Sequence, residues 1–191
     1  MFDLVLHHRY VNVEPHDLSG NSNCGYGTVS RGPGTEGAQT AAVFDGVGDR
    51  IYVPPSPSLT RPGGIRVDLV VNLEAFEQRR TLIEGYLSFA FGVEEDGSLG
   101  ASVYRNLEWA GVQSIPGLVP LNTWVHVSFV YTDDGVMTLT LDGTVVAERY
   151  WRMGRADGAG WPFGVSIGAW PDGDKRLWKG RMEEVMFWRA A

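Results

Sequence analysis

The chain has 191 residues, long enough for one domain with a substantial core, and all-β domains of this size are commonly undivided, so a single domain over 1–191 is expected. A net charge of −7 and an isoelectric point near 5.0 exclude nonspecific attachment to nucleic acid, which draws on clustered Lys and Arg. No stretch approaches the roughly 20 apolar residues of a membrane helix, so a soluble chain without membrane insertion is expected.

The opening MFDLVLHHRY has no basic n-region, sustained apolar run or small-residue cleavage site, and does not read as a secretory signal. Either the protein stays inside the cell or the sequence is a mature or excised domain. His7 and His8 are neighbours, and neighbours in a strand point to opposite faces, so they are not expected to share a metal ion. From about residue 10 to 40 the chain is rich in Gly, Ser, Asn and Pro (DLSGNSNCGYGTVSRGPGTEG), which predicts a long ordered loop. The single cysteine, Cys24, allows no intramolecular disulfide.

Short extended segments follow: AAVFDG, DRIYVPP, IRVDLVVNL, RTLIEGY, LSFAFGV, LGASVYR, WVHVSFVY, GVMTLTLDG, TVVAERYW, FGVSIGAW and LWKGRMEEVMFW. Their rhythm is that of an antiparallel sandwich, and no convincing amphipathic helix interrupts them. In WVHVSFVY, Val125, Val127, Phe129 and Tyr131 alternate with Trp124, His126, Ser128 and Val130, which predicts one buried face. Asp142-Gly143 supplies the positive-φ pair of a tight hairpin. His126 reads as a packed histidine. The basic pairs Arg79-Arg80 and Lys175-Arg176 read as solvated surface.

Catalytic motifs fail on context. GPGTEG, residues 32–37, fits GxGxxG but has no following helix to face a pyrophosphate. GVSIG, residues 164–168, fits GxSxG, yet no histidine follows His126, so Ser166 reads as an outward strand residue.

DLSGNSNCGYG, then AAVFDGVGDRIYVPPSPSL, then VPLNTWVHVSFVYTDDGVMTLTLDGTVVAE, then SIGAW with LWKGRMEEVMFW, resemble the laminin G-like, concanavalin A-like lectin/glucanase jelly rolls, in the family's order and over almost the whole chain. The resemblance implies an all-β sandwich of two antiparallel sheets, each of about six to seven strands, one concave and one convex, with the first and last strands paired. It implies a module that binds carbohydrate or a protein partner, and it favours an extracellular place. A structural or assembly module mediating oligomer or particle contacts is the alternative. A glycoside hydrolase or lyase is less favoured, because the ExDxE and ExDxxE strings of the family's hydrolases are missing and Glu94-Glu95-Asp96 sits in turn chemistry. The resemblance also implies a structural calcium ion at the Asp45-Gly46 turn and at Glu183, which stands where the family has Asp. Asp17, with Asn21 and Asn23, is an alternative ligand set or an ordinary Asx turn.

The chain carries seven tryptophans. Trp124, Trp178 and Trp188 read as packing. Trp109, Trp151, Trp161 and Trp170 lie at strand ends or in Gly/Pro-rich loops, where an indole can offer its flat face to a sugar ring or a partner side chain. Arg152, Arg155, Asp172 and Asp174 stand near them as polar fixing groups. The expected site is therefore a set of loop aromatics at the rim of the concave sheet, acting by binding alone.

Overall fold

A computed structural model describes residues 1–190 except 12, 13, 39, 61, 62, 106, 152–163 and 174. Fifteen strands are formed: β1 (Phe2–Arg9), β2 (Tyr26–Gly27), β3 (Ser30–Gly32), β4 (Ala41–Asp45), β5 (Ile51–Val53), β6 (Gly64–Leu73), β7 (Arg80–Gly85), β8 (Phe89–Val93), β9 (Leu99–Arg105), β10 (Glu108–Gln113), β11 (Trp124–Tyr131), β12 (Val136–Leu141), β13 (Thr144–Tyr150), β14 (Val165–Ile167) and β15 (Lys179–Ala190). Among the described residues the only helix is a 3-10 turn at Pro57–Leu59. No helix there is long and apolar enough to cross a membrane.

The strands make two antiparallel sheets, one of eight and one of seven. The larger runs β13-β12-β11-β6-β15-β4-β3, with β1 also on β15, and the smaller runs β10-β9-β8-β7-β14-β5-β2. The jelly-roll sandwich expected from the resemblance is the observed fold, including the pairing of first and last strands. One side of β15 meets β6; the other meets β4 through Lys179–Met182 and then β1 through Glu184–Ala190. A bulge marks the handover, leaving Glu183 between the two registers.

The core forms where the inward alternates of the two sheets meet. Val127, Phe129 and Tyr131 of β11 with Val67, Leu69 and Val71 of β6 face Phe89, Phe91 and Val93 of β8 with Val165 and Ile167 of β14. Phe89 meets Phe187 at 5.2 Å and Phe91 meets Phe129 at 5.8 Å between ring centroids, locking the sheets together. Asp142 and Gly143 adopt the positive φ angles, 48° and 76°, that the β12–β13 hairpin demands.

Three sequence expectations are corrected. The long loop before residue 40 contains β2 and β3, short pieces that finish the edges of both sheets. His126 is half-exposed on the outer face of β11, its Nε2 3.9 Å from Asp68. Arg80 is not solvated surface but 2% exposed. Its Nη1 donates to the Leu177 carbonyl at 2.7 Å, its Nε is shared by the carbonyls of Ala75 and Phe76 at 3.2 and 3.1 Å, and its Nη2 meets Glu77 at 3.2 Å. Burying a guanidinium is tolerable only when its donors are met in this way.

Candidate functional site

Because side chains alternate along a strand, the core-facing Leu99, Ala101 and Val103 leave Gly100, Ser102 and Tyr104 on the outer face of β9. The same rule applied through the register gives one outward residue per strand in a lateral row: Gly111, Ser102, Ala90, Glu84, Ser166, Tyr52 and Tyr26. The row crosses all seven strands of the smaller sheet, roughly 30 Å at ordinary strand spacing. From β10 to β14 the row is floored by glycine, serine and alanine on either side of Glu84, so that part of the face is hollow. Three neighbouring cavities occupy it, of about 400, 220 and 560 Å³.

Tryptophans stand between and beside these cavities. Trp109, 44% exposed, projects from β10 against Tyr104, with 5.2 Å between ring centroids, and lines the first and second cavities. Trp170 lines the second and third. Its loop is closed by Trp170 N–H donating to the Lys175 carbonyl at 2.9 Å and by Gly173 N–H donating to the Trp170 carbonyl at 2.7 Å. Gly173 has φ 82° there, with the Arg50 guanidinium where a Cβ would stand. Trp151 closes the far end, its Nε1 donating to the Gly111 carbonyl at 3.1 Å under the Arg149 guanidinium.

The central cavity contains the charged groups. Glu84, from the middle of β7, is 2% exposed, and its Oε2 accepts no hydrogen bond. Arg176 Nη1 stands 3.9 Å from it while the same guanidinium lies 3.9 Å over the Trp170 ring. Arg79 completes the wall, its Nε 3.3 Å from Glu94 Oε1. Burial pushes the Glu84 carboxyl up to about 7 despite the opposing pull of Arg176 and Arg79, and Asp172 adds to the rise. Arg176 is itself held below its ordinary range by burial and then by Arg79, so the two guanidiniums share this space. Both are fixed through Arg80: it follows Arg79 in sequence, it binds the carbonyl next to Arg176, and Thr81 N–H donates to the Arg176 carbonyl at 2.8 Å.

Of the residues singled out in the sequence, Trp109, Trp151, Trp170 and Asp172 are brought to this trough. Trp109 is the second residue of β10, Trp151 follows the end of β13, and Trp170 lies in the loop after β14. Trp161, Arg152, Arg155 and Asp174 lie outside the described residues. Sequence reasoning passed over Glu84, Arg79, Arg176 and the small floor residues as a site. Their signal is a lone acid within an apolar strand, RTLIEGY, and outward positions filled by Gly, Ala and Ser in LGASVYR, LSFAFGV and FGVSIGAW.

The proposed calcium carboxylates are otherwise engaged. Asp17 accepts from the backbone N–H groups of His7, Ser19 and Asn23 at 2.9, 2.9 and 2.8 Å. Burial alone would raise its carboxyl, but these donors outweigh it and hold it low. Asp45 Oδ1 accepts from Val47 and Gly48 N–H at 2.7 and 3.1 Å within its own turn, the turn that Gly46 completes. Glu183, in the bulge, accepts Thr35 N–H and Thr40 Oγ1–H, each at 2.9 Å. Among the described residues no group of three or more His, Cys, Asp or Glu is placed to hold a metal.

A family model described as the concanavalin A-like lectin/glucanases superfamily matches residues 45–191. No curated protein matches the chain. Among solved structures, domain 4 of AbnA, an extracellular GH43 arabinanase from Geobacillus stearothermophilus in complex with arabinotriose, aligns with TM-score 0.75 at 20% identity, over 100% of this chain and 94% of that one. The binding domain of Paraclostridial Mosquitocidal Protein 1 aligns with TM-score 0.74 at 11% identity, over 99% of this chain and 49% of that one. The CBM40 of a Ruminococcus gnavus IT-sialidase bound to α2,3 sialyllactose aligns with TM-score 0.59 at 12% identity, over 73% and 87%. At these identities the likeness is one of fold.

Proposed function

The chain belongs to the concanavalin A-like lectin/glucanase superfamily, and we propose that it is a noncatalytic carbohydrate-binding module whose ligand lies along the trough of the seven-stranded sheet. The observation that carries this reading is the lateral row of small residues bordered by Trp109, Trp151 and Trp170. A sugar chain is a ribbon of hydroxyl edges and apolar ring faces. It suits a groove with indole faces along its sides and guanidinium and carboxylate groups between them. The solved structures of like fold that hold arabinotriose and sialyllactose support the ligand class.

The charge arrangement of the central cavity supports binding without turnover. Glycoside hydrolysis needs two carboxyl groups across one bond, at roughly 5–9 Å. Glu84 is the one carboxylate among the residues lining the central cavity, faced there by two arginines.

A panel of neutral and acidic oligosaccharides, titrated by calorimetry and tryptophan fluorescence, tests the reading. At least one glycan binds, and Trp109→Ala and Trp170→Ala each weaken it by about 30-fold, the scale of a well-packed aromatic anchor. Binding that survives both substitutions unchanged, or a panel with no bound member, rejects the trough as the site.

A further inference from the structure

We infer that the cavity between Trp109 and Trp170 is a subsite for an uncharged sugar unit, with Glu84 accepting hydrogen bonds from its hydroxyls. The inference rests on the carbohydrate reading of the trough and deepens it by naming the ligand class.

Three observations lead to it. Glu84 is almost fully buried, yet one of its oxygens has no hydrogen-bond donor and lines a cavity of about 220 Å³. Such an atom is able to accept from a donor that enters the cavity, and Trp109 and Trp170 wall that space. The flanking cations already have carboxylates near them: Arg79 Nε is 3.3 Å from Glu94, and Arg176 lies against Trp170 with its Nη1 3.9 Å from Glu84. A ligand carboxylate entering here would meet Glu84 itself in a buried space, and two carboxylates sharing a site repel. A sugar hydroxyl instead donates to Glu84 while its ring oxygens accept from the guanidinium edges.

The groups that face Glu84 are Arg176 and Asp172 from the loop between β14 and β15, Arg79 from the loop before β7, Ser166 across the ladder on β14, and Ala90 across it on β8. Burial raises the Glu84 carboxyl to about 7. Ionised Glu84 is acceptor-only, and hydrogen bonds to charged groups are the stronger ones. Hydroxyl donors therefore bind better as Glu84 loses its proton, and a neutral glycan is held more tightly at pH 8.5 than at pH 5.5, by about fivefold.

The test titrates the whole chain with neutral arabino-, xylo- and cello-oligosaccharides and with acidic oligogalacturonate and sialyllactose, at both pH values, for the native protein and Glu84→Gln. The amide has the carboxylate's shape, and circular dichroism of the buried Trp178 confirms that the variant is folded. The expected result is a neutral ligand bound more tightly at high pH, with Glu84→Gln about fivefold weaker at pH 8.5 and flat in pH. Tighter binding of an acidic ligand overturns the inference, as does a pH slope that persists in Glu84→Gln. If Trp109→Ala abolishes binding and Glu84→Gln leaves it untouched, this inference falls and the trough stands. If no glycan binds, both fall.

Discussion

The two outer faces of the sandwich obey the same alternation and end in opposite conditions. Across the eight-stranded sheet the outward row reads Thr140, Ser128, Asp68, Met186 and His7. Several of its polar groups pair with one another: Arg66 Nε donates to Asp68 at 2.8 Å, His7 Nε2 meets Glu184 at 2.7 Å, and Ser128 bonds Thr140. Arg66 and Arg181 lie over Trp188 and Trp124. Long side chains snorkel across much of this face, and a cavity of about 310 Å³ opens beside them between Arg9, Val70 and Glu184. Across the seven-stranded sheet the corresponding row is Gly111, Ser102, Ala90, Glu84 and Ser166, and its one buried charge lacks a hydrogen-bond donor. Tryptophan does not distinguish the two faces, since both carry it; what sets the seven-stranded face apart is a buried carboxylate without a donor in a cavity bordered by Trp109 and Trp170.

The contrast can be broken most severely at Arg80, which holds the trough wall together from inside. Arg80→Ala removes donors to three carbonyls and costs about 3 kcal/mol, a fall of roughly 10 °C in the melting temperature, together with glycan affinity as Arg79 and Arg176 lose their anchor. A melt at the native temperature, with binding intact, would show that the wall stands without it.

Glu84 and Asp68, both 2% exposed, sharpen the comparison because removing their charge acts in opposite senses. The folded protein raises the Glu84 carboxyl from 4.5 to about 7. Its stability contribution is full below pH 4.5, declines as pH rises, and is lost above about 7. Glu84→Gln is therefore neutral at pH 4 and more stable by about 3 kcal/mol at pH 8. Asp68→Asn weakens the charged bond from Arg66 and costs about 1–2 kcal/mol at pH 8. Denaturant melts at the two pH values measure both signs, and a stabilised Asp68→Asn would dissolve the distinction. The smallest effect is expected at Trp188, on the eight-stranded face under Arg66. Trp188→Ala leaves glycan affinity within about twofold, because surface changes away from a binding patch act locally.

The strands legible in the sequence are those whose inward alternates are large and uninterrupted. WVHVSFVY and GVMTLTLDG form β11 and β12 with the expected buried face, whereas TVVAERYW forms β13 at the sheet edge with no fully buried residue. FDLVLHHR was illegible because a bulge between Leu4 and Leu6 breaks the alternation and buries Val5 and Leu6 together. EWAGVQ offers only Ala110 and Val112 to the core, too little apolar pattern to announce β10. The site was half legible for a related reason. Aromatic residues are visible one at a time, whereas a trough floor is a row across strands, and Ser102, Ala90, Glu84 and Ser166 become neighbours only through pairing register. Arg79 and Arg176 looked like surface charge because their neighbour Arg80 is buried by carbonyls scattered along the chain.

The last strand sits in the middle of the larger sheet, between β6 on one side and β4 and β1 on the other. A chain emerging from a ribosome would therefore have to keep its first strand waiting: His7 meets Glu184 only after 177 further positions have been made. Until β15 arrives, β1, β4 and β6 each present an unpaired edge, a standing invitation to wrong partners. Sheet closure is then the slow, nonlocal step of folding.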